Sequence, residues 1–232
     1  MADTIAAIAT GAQVAAIGII RISGPEALPI IDRLFRPASG RLMSEYEDRK
    51  LIYGRLTDRG GELLDLCLCT VSRAPHSYTG EDTAELQCHG SPTVLRVALE
   101  ELFRVGARQA LPGEFTKRAF LNGRMELSSA EAVADIIDAE SIECAKNAAA
   151  QLSGAVAVKA DNIYSALTDI SSHYHAVLDY PDEDIEDFRL ENYKQQLSSA
   201  ADSLRALLGS FERGKLMVSG IPAAIVGRPN AG

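Results

Sequence analysis

Pro112–Asp138 reads PGEFTKRAFLNGRMELSSAEAVADIID, and the fold divides on it. Pro112-Gly113 turns the chain. Glu114–Leu121 has the spacing of one short helix, and Asn122-Gly123 ends it with a left-handed cap. Ser128-x-x-Glu131 is a capping box, so the next helix is predicted to start at about Ser129. Before this stretch the pattern is mixed strand and helix. After it, nearly everything is helical. Glu114, Lys117, Arg118 and Arg124 crowd beside Gly113 and Gly123, so the stretch is expected to close a small-molecule site on the first domain.

Upstream, Thr4–Thr10 is short and apolar. Val14–Ile22, VAAIGIIRI, has the composition of a strand buried on both faces, with Arg21 inside it. A charge there is costly unless paired. Arg21 is either an arginine paired with a structural carboxylate or one held rigid for an anionic ligand. Pro25 suits the first turn of a helix running to about Phe35. Leu51–Leu56 and Leu63–Val71 read as a hairpin turning at Asp58-Arg59-Gly60-Gly61. Thr83–His89 alternates, so Thr83, Glu85, Gln87 and His89 share one face, toward water or a polar pocket. Pro92 opens a helix to about Val105. His89 reads as a strand-end hydrogen-bonding residue, since no second histidine or cysteine stands at ligand spacing.

Downstream, helices are predicted at roughly 129–140, 142–153, 156–179 and 190–217. Asp179–Asp187, DYPDEDIED, reads as a solvated acidic bend between helices. Leu190, Leu197, Leu204 and Phe211 recur every seven residues, the seam of a long helix packing on other helices. These apolar seams are expected to lack some of their partners. His173 and His175 diverge on a helix and cannot act as a pair.

Hydrophobic residues make up 47% of the 232 and charged residues 24%, enough for a real core. A net charge of −9 argues against a broadly basic nucleic-acid surface. No apolar run approaches the ~20 residues of a membrane helix. MADTIAAIAT lacks a basic segment and is not expected to be a secretory signal. The four cysteines form no CxxC pair. Cys67 and Cys69 share a strand face, and buried free thiols in a reducing compartment are favoured over metal ligation.

After Gly220 the apolar run IPAAIV leads into Gly227-Arg228-Pro229-Asn230-Ala231-Gly232. These are the first six positions of G-x-x-x-x-G-K-[ST], the loop whose backbone N–H groups wrap nucleotide phosphates. The lysine and the Mg²⁺ ligand would follow Gly232.

The segments IGIIRISG (17–24), SYTGEDTAELQCHGSP (77–92), PGEFTKRAFLNGRMELSSAEAVADIIDA (112–139), LDYPDEDI (178–185) and GRPNAG (227–232) together resemble the MnmE (TrmE) family of tRNA uridine-modification GTPases. The resemblance implies an α+β chain. Residues 1–119 would form a mixed-sheet folate-binding and dimerisation domain similar to that of the aminomethyltransferases. Residues 120–219 would form the N-terminal part of a helical domain, and 220–232 the first strand and half-loop of a G domain. The chain is thus expected to be an N-terminal piece without GTPase activity of its own. The resemblance further implies GTP, Mg²⁺, K⁺ and 5-formyltetrahydrofolate or a related tetrahydrofolate as cofactors. Its implied partners are a second copy, the MnmG flavoprotein in a heterotetramer or larger complex, and tRNA, in the cytoplasm. It places folate contacts on Arg21, Glu85 and Arg124, nucleotide contacts on Asn230, Ala231 and Gly232, and a K⁺ contact on Asn230. The family usually has Lys where Arg124 stands, which changes the geometry of that contact but not its charge.

Two other readings stand beside this one. One is a free-standing folate-dependent one-carbon transferase, which would need neither GRPNAG nor the long helices. The other is a scaffold in which Arg21 and Glu85 are an ordinary ion pair.

Overall fold

A computed structural model of the chain describes residues 3–11, 13–179, 190–219, 224, 226 and 227. Two compact units result, Met1–Met125 and Glu126–Gly232.

The first unit holds strands β1 (Ile5–Ile8), β2 (Ile17–Ser23), β3 (Phe35–Pro37), β4 (Ile52–Thr57), β5 (Leu63–Ser72), β6 (Thr83–His89) and β7 (Arg108–Gln109). They form one seven-stranded sheet in the order β3-β4-β5-β6-β2-β1-β7. Neighbours are antiparallel except β1 and β7, which run parallel. Helices α1 (Ala27–Leu34) and α2 (Pro92–Arg104) pack on one face. Ala27, Ile30, Ile31 and Leu34 of α1 and Leu95, Ala98 and Leu102 of α2 are buried with Ile20, Ile22, Val71, Ala84 and Leu86 of the strands. These strand residues are every second one, the period-2 pattern of a sheet with one face in the core. Strand β2 therefore differs from the expected strand over Val14–Ile22. Val14 is 84% exposed, the strand begins at Ile17, and Ile19 and Arg21 lie on a half-buried second face.

That second face carries a polar row. Arg21 pairs with Ala7 on β1 and Glu85 on β6, and Glu85 pairs with Thr70 on β5. Helix α3 (Glu114–Leu121) follows β7 and ends as the sequence predicts. Gly123 is left-handed (φ 66°), and the N–H groups of Gly123 and Arg124 donate to the Phe120 and Ala119 carbonyls at 3.0 and 2.8 Å.

The second unit holds α4 (Leu127–Ile137), α5 (Ile142–Leu152), α6 (Ala155–Asp179) and α7 (Leu190–Ser219). The capping box at Ser128 is not used. Helix α4 starts at Leu127 after Glu126, with no side-chain cap. Ser129 is instead drawn into the α4–α5 contact, where its hydroxyl donates to the Gln151 carbonyl at 3.5 Å, and Gln151 Nε2 returns a bond to the Ser128 carbonyl at 3.2 Å. Ser141 caps α5 by accepting from Cys144 N–H at 3.1 Å. His173 of α6 meets Tyr193 of α7 with ring centroids 5.6 Å apart.

Few large side chains are buried in this unit. Helix α6 buries none, and Leu197 and Leu204 of the seven-residue seam are 48% and 45% exposed. A groove of about 720 Å³, lined by Leu167, Ile170, Tyr174, Tyr193 and Leu197, opens between α6 and α7. The Phe211 side chain and most of the acidic bend lie outside the described residues. Among the described residues no helix is long and apolar enough to cross a membrane.

Sparse burial makes local opening easy. Amides of α6 and α7 are therefore expected to exchange with deuterium faster than those of β2, β5 and β6. Equal protection in the two units would contradict this reading of the burial.

Candidate functional site

Arg21 and Glu85 are brought together by register. They are direct cross-strand partners, and Arg21 Nε donates to Glu85 Oε1 at 2.8 Å. Their side chains stay 30% and 28% exposed, so the pair itself adds little stability, roughly 0–1 kcal/mol. Among the described residues, no hydrogen-bond partner faces the terminal nitrogens of Arg21 or Oε2 of Glu85. The Tyr78 and Phe115 rings flank the guanidinium, with centroids 5.2 and 5.7 Å from Arg21 Cζ. The site is thus a charged pair with spare donors and a spare acceptor, walled by two aromatic rings.

The loop between β5 and β6 supplies Tyr78, and it is unusually well buried. Ser77 and Thr79 are 4% and 0% exposed. Ser23 Oγ lies 2.7 Å from both Thr79 Oγ1 and Glu81 Oε2. Tyr78 OH meets Thr116 Oγ1 of α3 at 3.0 Å, and Asn122 Nδ2 donates to the Thr79 carbonyl at 2.7 Å. Gly80 (φ 76°) lies against the end of α3, where a Cβ would stand 2.9 Å from Asn122 Cβ. Both the backbone angle and the space there require glycine.

Arg124 belongs to this loop contact. Its Nε donates to the Ser77 carbonyl at 3.1 Å, one residue from the ring that flanks Arg21. It forms no bond with Arg21 or Glu85. Asn230, Ala231 and Gly232 lie outside the described residues.

An ion-pair ring fixes α3 in place. Arg118 Nη1 donates to Glu81 Oε2 at 3.0 Å, and its Nη2 donates to Asp3 Oδ1 at 2.7 Å and Glu114 Oε1 at 3.1 Å. Arg108 closes the ring onto Asp3 and Glu114. Arg108 above all, with the Leu111 N–H and Arg118, holds the Glu114 carboxyl down from its ordinary 4.5 to about 2. Burial works against the charge of Arg118, yet Glu81 and Glu114 raise its pKa overall.

The comparisons agree with this architecture. Residues 4–124 match the family model described as GTP-binding protein TrmE N-terminus, and residues 127–222 match the MnmE helical domain. The chain belongs to the MnmE (TrmE) family. Its relatives include a tRNA modification GTPase MnmE of Symbiobacterium thermophilum, 42% identical over 99% of this chain and 50% of the relative. That of Bacteroides fragilis is 43% identical over 99% and 49%, and that of a Synechococcus species 42% identical over 100% and 50%. The chain spans about half the length of these curated MnmE relatives.

Within this TrmE N-terminal domain, Arg118 corrects the sequence reading. Lys117 and Arg118, side by side on one short helix, both read from sequence as solvated residues, but the Arg118 side chain is 11% exposed and pairs with three carboxylates. Only Glu114, four residues back on α3, is a partner the spacing could reveal. Lys117 is exposed, as expected.

Because the folded pKa of Glu114 is depressed, its contribution to stability is complete above pH 4.5 and fades as pH falls toward 2. Glu114→Gln is expected to lower stability at neutral pH by roughly 1–3 kcal/mol. The gap between parent and variant should close between pH 4.5 and 2, followed by thermal melts. A gap that stays constant through that window would exclude the ring as its source.

Proposed function

We propose that the first unit is the tetrahydrofolate-binding, dimer-forming module of a tRNA modification GTPase, and that the second is the N-terminal part of its helical domain. The observation that carries this reading is the Arg21–Glu85 pair on the open sheet face, flanked by Tyr78 and Phe115. The residues suit a folate. Glu85 has an oxygen to spare for the neighbouring N–H donors of a pterin ring. Arg21 or Arg124 supplies charge-assisted bonds to the carboxylates of the glutamate tail. The two aromatic rings offer apolar walls to a flat heterocycle. When bound, the folate supplies a one-carbon unit.

On this reading the whole protein pairs through its N-terminal domain and works with the MnmG flavoprotein, in a heterotetramer or larger complex. It adds an aminomethyl or carboxymethylaminomethyl group to C5 of the wobble uridine of certain tRNAs in the cytoplasm. GTP hydrolysis with Mg²⁺ and K⁺ drives the reaction. Gly227–Gly232 is the start of the phosphate loop, with Asn230 for K⁺ and Ala231 and Gly232 for nucleotide. The name shared by the relatives and the match to the MnmE helical domain favour this over a free-standing one-carbon transferase.

Titration calorimetry with 5-formyltetrahydrofolate tests the site. The parent should bind, Glu85→Ala should weaken binding at least tenfold, and Arg21→Ala should do likewise. A parent that does not bind, or a Glu85→Ala variant that binds as well as the parent, would leave the pair an ordinary cross-strand ion pair.

A further inference from the structure

Strand β6 carries a second cluster, near Glu85 in sequence but on the other face of the sheet. Cys88 lies on the helix-covered face, 2% exposed, and Cys67 of β5 is 4% exposed. The register sets them side by side. Leu68 is opposite Gln87, so the next step along the ladder brings Cys67 to Cys88. Gly54 of β4 is paired with Cys67, and Gly18 of β2 with Cys88. The row across four strands is therefore Gly-Cys-Cys-Gly, with no bulky side chain of its own between the sulfurs. Asp65, two residues before Cys67 on the same strand face, completes the cluster. Its carboxylate and the two sulfurs all lie within 4.8 Å of one another.

Asp65 is held as a ligand carboxylate is usually held. Its side chain is only 8% exposed. Oδ2 accepts the His89 N–H at 2.8 Å, and Oδ1 accepts the Leu66 N–H at 2.8 Å and lies 2.7 Å from His89 Nδ1. Outer bonds of this kind orient metal-binding carboxylates. Three of about four lone-pair directions are then used, which leaves one for a cation.

We infer that Asp65, Cys67 and Cys88 form a binding site for a thiophilic divalent cation of the zinc class, with His89 as the residue that positions Asp65. The chemistry matches this ion better than Mg²⁺ or Ca²⁺, because two of the three donors are soft sulfurs. The spacing fits too. Tetrahedral zinc with bonds of about 2.3 Å to sulfur sets its sulfurs about 3.8 Å apart. The contact with Cys88 and burial push the Cys67 thiol up. Binding displaces one proton from each sulfur to solvent and leaves two thiolates and one carboxylate on the cation, with a water as the fourth ligand and a net charge of −1. The bound ion would clip β5 to β6 at the end of the ladder, three residues along β6 from Arg21's partner Glu85.

The sequence conceals this site because its donors lie on two strands, 21 residues apart between Cys67 and Cys88. No CxxC spacing announces them. Cys69, the near neighbour that shares the strand face, is not among the three.

The test uses the purified, fully reduced protein, with Zn²⁺ and Co²⁺ as probes. One Zn²⁺ per chain should be retained through gel filtration and should raise the melting temperature. Co²⁺ should give a thiolate charge-transfer band and the visible bands of a tetrahedral site. Cys67→Ser and Cys88→Ser should abolish these bands, while Cys144→Ser should keep them. His89→Ala changes a side chain that is 72% exposed, so it keeps the fold. It should keep the charge-transfer band but bind Zn²⁺ about 10–100-fold more weakly. A folded, reduced parent that gives no bands with excess Co²⁺ overturns the inference. So does a His89→Ala variant with parental Zn²⁺ affinity, or serine variants that keep the parental spectrum.

Discussion

The guanidinium of Arg118 holds the α3 side of the first unit together. Taking such a charge out of water costs several kcal/mol unless its donors are met. Here they are met by Asp3 just before β1, by Glu81 in the β5–β6 loop and by Glu114 on α3 itself. One cation therefore ties three distant pieces of chain. Arg108 doubles the tie by meeting Asp3 and Glu114 from β7. The consequence reaches the Arg21–Glu85 pair indirectly. Glu81 anchors Ser23 and, through it, Thr79, and α3 bears Thr116 and Phe115. If the ion-pair ring opened, both aromatic walls beside Arg21 would lose their support.

The sheet explains why the site can be there at all. Helices α1 and α2 of the first unit pack on one face, so apolar residues are needed only at alternate strand positions. The remaining positions are free for chemistry, and Arg21, Thr70 and Glu85 occupy them in a single row. The second unit shows the opposite condition. Its helices have long apolar stripes, yet only Ser129, Ala132, Ala148 and Ala200 are buried among its described residues. Small residues let α4 and α5 approach closely, while the large ones of α6 and α7 line an open groove.

Much of this was legible beforehand because it is local. Alternation gave Thr83–His89 and the shared face of Glu85, Gln87 and His89. The Asn122-Gly123 pair gave the end of α3, since only a left-handed residue closes that turn cheaply. Buried arginine networks were illegible because their partners are far apart in sequence. Arg118 and Asp3 are separated by 115 positions, and nothing in the local pattern distinguishes Arg118 from the exposed Lys117 beside it. The capping box failed for a related reason. Ser128 looks like a cap in isolation, but α4 already starts at Leu127, and Gln151, 22 positions away from Ser129, ties this turn to α5 through the Ser129 hydroxyl and the Ser128 carbonyl.

Strand β6 shows how strict alternation gives one strand two different environments. Glu85 and Cys88 are three residues apart, an odd interval, so they fall on opposite faces of the sheet. Glu85 meets Arg21 in the polar row. Cys88 meets Cys67 in the core. A one-residue slip of register would exchange the two faces, burying Glu85 among aliphatic side chains and bringing Cys88 toward water. The cost of burying an unpaired carboxylate makes that slip prohibitive. The charge of Glu85 on the open face therefore fixes the register, and the same register brings the two sulfurs and Asp65 within reach of one another.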